Sequence, residues 1–172
     1  MNNNIKILLY LFCSFTLFVG LFFLENSSGG AKIDFNVLTP FMLKFSEGFK
    51  EGIYFFVCCH ESSIIHSPIF YILVENLINI FDNFFIIKII YILLSCTLPY
   101  IFYLILKEKY KVDYLIIYLI SLLIFLSPYF RSSAIWLLGD NLSLIFFSLA
   151  ILFFLKSKST SQNNYFIYCM VS

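Results

Sequence analysis

Two aspartates stand where long apolar runs stop and start. Asp34 follows the run 5–24, just past two glycines, and Asp140 heads the run 139–155. On a chain with only 12% charged residues, an acid at such a place invites a chemical reading. A carboxylate can accept the proton of an attacking hydroxyl or amine. A cation beside it can neutralise a departing phosphate. Lys88 and Arg131 supply cations near the same two places, and His60, Glu61 and His66 add polar groups between them. A plainer reading is equally open. Asp34 and Asp140 then mark helix boundaries, Lys88 snorkels, and Arg131 anchors among lipid headgroups. Cys58, Cys59, His60 and His66 do not make a convincing metal cluster, because adjacent cysteines and irregular spacing suit tetrahedral ligation poorly. No metal site is expected, and no disulfide framework follows from five irregularly spaced cysteines.

The elements that must hold these groups are set by composition. The chain has 172 residues, 61% hydrophobic and 21% aromatic, with mean hydropathy +0.92. A soluble domain carries about 25% charged residues, so this is an integral membrane protein. A net charge of +1 says nothing about nucleic acid, but no basic patch with interleaved aromatics appears, and no nucleic-acid partner is expected. Residues 5–24 are long enough, at 1.5 Å per residue, to cross about 30 Å of hydrocarbon. Residues 84–106, with a kink expected at Pro99, make a second span; 113–127 make a third and 139–155 a fourth. A fifth run opens at Tyr165 and is cut off by the end of the sequence, so the chain reads as a single membrane domain, 1–172, and as a fragment.

Residues 69–81 are too short to span, and Glu75, Asn76 and Asn79 lie on one helical face. They read as a helix in the membrane interface. Lysines test that choice. With 69–81 outside the count, Lys6, then Lys107, Lys109 and Lys111, then Lys156 and Lys158 all fall on the cytoplasmic side. Thr39 and Pro40 suggest a cap and first position for a second amphipathic helix, 40–51, with Phe41, Phe45 and Phe49 along one stripe. The expected fold is thus all-α: four transmembrane helices, the start of a fifth, and two juxtamembrane helices in the first outer loop, 25–83. The amino terminus is cytoplasmic. Asp34, Glu61, His66, Arg131 and Asp140 then collect on the opposite side, and Lys88 lies one turn below it.

That layout resembles the amino-terminal part of the GT-C superfamily of membrane glycosyltransferases, in the branch of protein O-mannosyltransferases and aminoarabinose-type transferases. The matching features are Asp34 at the opening of the first outer loop, the 40–51 helix, "HSPIFYILVENLINIF" from His66, Lys88 in the next span, and "SPYFRSSAIWLLGDNLSLIFF" ending on Asp140. Two features differ: Phe35 follows Asp34 where the family often has a second acid, and Ser67 separates His66 from Pro68. The resemblance implies a polyprenyl-phosphate sugar donor and an inverting transfer to an unspecified acceptor on the non-cytoplasmic face. It implies Asp34 as catalytic base and Asp140 as organiser of the site. His66 and Glu61 would line the cavity, and Lys88 and Arg131 would face the lipid phosphate. No other cofactor is implied, and a divalent metal is left open. A transporter predicts ionisable groups near mid-membrane; here they lie at span ends, apart from Lys88. A non-catalytic membrane subunit fits the same composition.

Overall fold

The computed structural model describes residues 3–58, 68–110 and 113–160, and every regular element among them is helical. Helix α1 (Asn3–Phe22) is built from an almost uninterrupted apolar run and is long enough to cross a bilayer. It ends when Leu24 takes a left-handed conformation, φ 51°. The Glu25 and Leu24 amides then donate to the Gly20 and Leu21 carbonyls, closing the last turn. Asn26–Gly29 turns the chain back, with Gly29 at φ 79°, and α2 (Ala31–Glu47) begins at once.

This start differs from the expectation at 40–51. Thr39 and Pro40 lie inside α2, and the Thr39 hydroxyl donates to the Phe35 carbonyl one turn back, at 2.7 Å, instead of capping. The apolar residues of α2 explain the longer helix. Ala31, Leu38, Phe41, Met42 and Phe45 are buried along one face, and that packing outweighs the proline. Gly48, φ 153°, breaks the run, and α3 (Phe49–Cys58) folds back onto α2. The contact requires glycine at position 52, since a Cβ there would run into the Phe45 ring.

Helix α4 (Pro68–Phe81) begins on a proline, which suits a first helical turn. It buries Tyr71 and Val74 against α2 and leaves Asn76 and Asn79 exposed. Helices α5 (Phe84–Ser95) and α6 (Thr97–Lys109) together form one rod of 26 residues. Their junction at Cys96 falls just where Pro99 removes the amide that would bond the Ser95 carbonyl. The Tyr10 hydroxyl from α1 donates to the Cys96 carbonyl there.

Helix α7 (Tyr114–Leu122), capped by Asp113 through the Leu115 amide at 2.8 Å, runs into a 3-10 turn, Leu123–Leu126. Ser127 and Pro128 interrupt the helix there. They cap and open a separate helix, α8 (Pro128–Ile135), bent by 59° from the first. After a tight turn, α9 (Asp140–Thr160) runs beside α6. Three helical segments are therefore long and apolar enough to cross a membrane, and four if the bent α7–α8 pair counts as one. Exposed Leu8, Leu11, Phe12 and Phe15 on α1 form a lipid-ready surface.

Polar bonds join the helices where apolar packing alone gives little driving force in lipid. Buried Asn141 donates from its amide to the Ser95 hydroxyl (3.2 Å) and the Phe130 carbonyl (3.0 Å). The Tyr91 hydroxyl donates to the Leu138 carbonyl and accepts from the Leu142 amide at 3.3 Å. The first turn of α9 is thereby locked to the middle of the α5–α6 rod. From there α9 and α6 run in parallel, so Lys107, Lys109 and Lys158 finish at one end of the bundle.

Candidate functional site

Asp34 occupies the first turn of α2, and Asp140 is the first residue of α9. Both are exposed, and both line one cavity of about 420 Å³. Its walls come from three elements. Helix α2 contributes Val37 and Leu38, α4 contributes Phe70 and Tyr71, and the α8–α9 turn leads into Phe146 on α9. Negative side chains in the first turn of a helix are favourably placed toward its positive end. Each acid therefore sits where its helix tolerates a charge, and the two helix starts are brought to one opening.

The turn beneath Asp140 is rigidly specified. Leu137 is fully buried at φ 56°, an uncommon conformation for a branched side chain. The Leu138 amide donates to the Ser133 carbonyl at 3.1 Å, and the Ser133 hydroxyl returns a bond to the Leu138 carbonyl at 3.1 Å. With Tyr91 on the same carbonyl, the backbone that presents Asp140 has little freedom. Across the cavity Tyr71 is buried, and burial pushes its hydroxyl up to about 12. It stays protonated at neutral pH and can only donate or accept hydrogen bonds.

Lys88, on α5, does not line this cavity. Its ammonium sits over the Phe35 ring at 4.2 Å and the Trp136 ring at 4.4 Å. Trp136 is held by its indole N–H, which donates to the Glu25 carbonyl at 2.7 Å, and by contact with Phe35 at 6.0 Å. Lys32 approaches the same indole at 5.7 Å. Among the described residues Lys88 makes no ion pair. Its charge is stabilised by aromatic faces, each worth about 0.5–2 kcal/mol, and stays available to an anion.

Arg131 is placed differently from the expectation that it faces a lipid phosphate. Its guanidinium forms a two-pronged pair with Glu25, with Nε to Oε1 at 2.7 Å and Nη2 to Oε2. Nη1 donates to the Thr16 hydroxyl at 2.8 Å, and Nη2 to the Thr16 carbonyl at 3.2 Å. The donor fork is committed to clamping α8 onto the end of α1. Gly20 makes room for it, because a Cβ there would lie 2.6 Å from Glu25 and 2.7 Å from Ile135. The hydrogen bonds from Arg131 hold the Glu25 carboxyl below the usual carboxylate range.

His60, Glu61 and His66 lie outside the described residues, as do Cys59 and Lys111. The structure thus brings Asp34 and Asp140 to one cavity, sets Lys88 over the rings of Phe35 and Trp136 and directs Arg131 to Glu25. Tyr71, Glu25 and Trp136 escaped the sequence reading. The one tryptophan of the chain, placed four residues before an acid, was the signal that could have drawn attention. Comparison with protein-family models, with curated proteins and with solved structures returns no match.

Proposed function

We propose that this chain is a multi-pass membrane glycosyltransferase, or the amino-terminal part of one, that moves a sugar from a polyprenyl phosphate to an acceptor. The reaction takes place on the non-cytoplasmic face, with α2 and α4 lying against the membrane there and the amino terminus inside. The observation that carries the reading is the single cavity lined by Asp34 and Asp140.

In this reading the Asp34 carboxylate takes the proton of the acceptor hydroxyl or amine. The freed electron pair attacks the anomeric carbon, and the bond from that carbon to the phosphate oxygen breaks. Polyprenyl phosphate leaves with the electron pair, its charge met by Lys88. Asp140 orients the acceptor or the sugar from the opposite wall. Arg131 has no part in contacting substrate, since Glu25 and Thr16 occupy its donors. A general base contributes typically 10²–10⁴-fold.

The test uses the full chain reconstituted in liposomes with a radiolabelled polyprenyl-phosphate sugar. The wild type should release polyprenyl phosphate and pass label to added acceptor. Asp34→Asn should lower transfer at least about 100-fold while insertion and yield stay normal. Asp82→Asn, at the end of α4, should transfer as the wild type does. Full transfer by Asp34→Asn removes that residue from the reaction, and no label movement with any lipid-linked sugar removes the enzyme reading.

A further inference from the structure

A second hollow shares no lining residue with the cavity of the two aspartates. It has a volume of about 430 Å³ and runs between α1, the α5–α6 rod and α7. Its floor is Ile7, Leu11 and Leu93, flanked by Tyr10, Tyr100 and Tyr118. Three of the hydroxyls along this groove are taken up by backbone carbonyls, and that of Tyr100 lies on an exposed residue. The Tyr10 hydroxyl donates to the Cys96 carbonyl, the Tyr118 hydroxyl to the Lys6 carbonyl, and the Thr97 hydroxyl to the Leu94 carbonyl at 2.7 Å. What is left is an apolar trough, with one cation, Lys6, at its rim.

The charged residue on the rim itself is Lys6. Lys107 sits over the Tyr114 ring at 5.2 Å, and Tyr114 is one turn from Tyr118, whose hydroxyl reaches the Lys6 carbonyl. Tyr103, one turn before Lys107, packs edge-on against Tyr118 at 5.8 Å. Tyr118 therefore ties the Lys6 end of α1 to α6 and α7. The acids nearby are Glu108 and Asp113, and the Asp113 carboxylate accepts from the Leu115 amide as a helix cap. Among the described residues neither Lys6 nor Lys107 forms an ion pair.

We infer that this groove docks one anionic glycerophospholipid, with an acyl chain along Leu11, Leu93 and Tyr100 and its phosphate at Lys6. An acyl chain matches the walls, and an anionic headgroup matches the rim; a zwitterionic lipid would match only the first. The site is independent of the transferase reading. A chain that transfers no sugar yet selects the anionic lipid leaves this inference standing.

The experiment extracts the full chain from vesicles of equal phosphatidylglycerol and phosphatidylcholine with identical acyl chains, and counts retained lipids by native mass spectrometry. The wild type should keep phosphatidylglycerol in preference. Lys6→Gln should lower that preference roughly fivefold, the worth of one lysine near a membrane surface. Leu93→Trp, an exposed position that fills the trough, should lower retention of both lipids. Lys44→Gln, on α2, should change neither. Equal retention of both lipids by the wild type, an unchanged preference in Lys6→Gln, or unaffected retention in Leu93→Trp overturns the inference.

Discussion

Arg131 and Lys88 show how differently two cations of similar sequence setting can be used. Arg131 is satisfied by a carboxylate, a hydroxyl and two carbonyls, whereas Lys88 meets only ring faces among the contacts described. Arg131→Ala leaves Glu25 half-buried and unpaired, and should cost about 2–3 kcal/mol in a denaturation experiment. Glu25→Gln together with Arg131→Ala should cost less than the two single losses added, because the pair acts as a unit. The pH dependence follows from the direction of the Glu25 shift. Its folded carboxyl titrates below its unfolded value of about 4.5, so its stabilisation is complete above that value. It is lost as pH falls through the folded value. Between about pH 5 and pH 3 the wild type should lose melting temperature faster than Glu25→Gln; parallel curves would detach Glu25 from acid stability. Neither the pairing nor the aromatic stack could be read along the chain. Glu25 and Arg131 are separated by 106 positions, and no local periodicity relates them.

Among the elements, the helices fall on the apolar runs because a run of apolar residues in lipid has no other way to satisfy its backbone. Element junctions depended on finer chemistry. Thr39-Pro40 and Ser127-Pro128 look alike as local signals. Only Ser127 caps, with its hydroxyl accepting from the Phe130 amide at 3.4 Å, while Thr39 bonds back into its own helix. The difference is tertiary. Apolar residues on both sides of Thr39 pack against α3 and α4, whereas at Ser127 the chain must turn to bring Ser132 onto the turn after α1. There the Ser28 amide donates to the Ser132 hydroxyl at 3.0 Å. The α2–α3 contact gives a sharp test at this scale. Gly52→Ala inserts a methyl group against the buried Phe45 ring and should destabilise the protein by about 1–3 kcal/mol. Gly52→Ala combined with Phe45→Leu should recover part of that loss.

For the whole molecule, the lysines of the helix ends are what set its orientation. Lys6, Lys107, Lys109 and Lys158 gather at one end of the parallel α6–α9 pair, and the cavity with Asp34 and Asp140 opens toward the other. In a cysteine-free background, Asp34→Cys and Lys109→Cys should label from opposite sides of sealed vesicles with a membrane-impermeant maleimide. Position 109 should be reached from the cytoplasm, as the positive-inside rule requires. Labelling of both from one side would refute the span arrangement and, with it, an acid cavity on the non-cytoplasmic face.

Composition and apolar run length by themselves determined that the chain is helical and built for a membrane. Those properties sum over many residues, so single errors of boundary do not disturb them. They also marked Asp34 as an acid just beyond the first apolar run and Asp140 as one at the start of another. Only the tertiary structure decided that α2 begins at Ala31, that α8 bends away from α7, and that the two acids share one opening while Arg131 is drawn to Glu25. Each of these outcomes rests on contacts between segments far apart in the chain, where packing volume and hydrogen-bond partners are settled by the fold and leave no local trace.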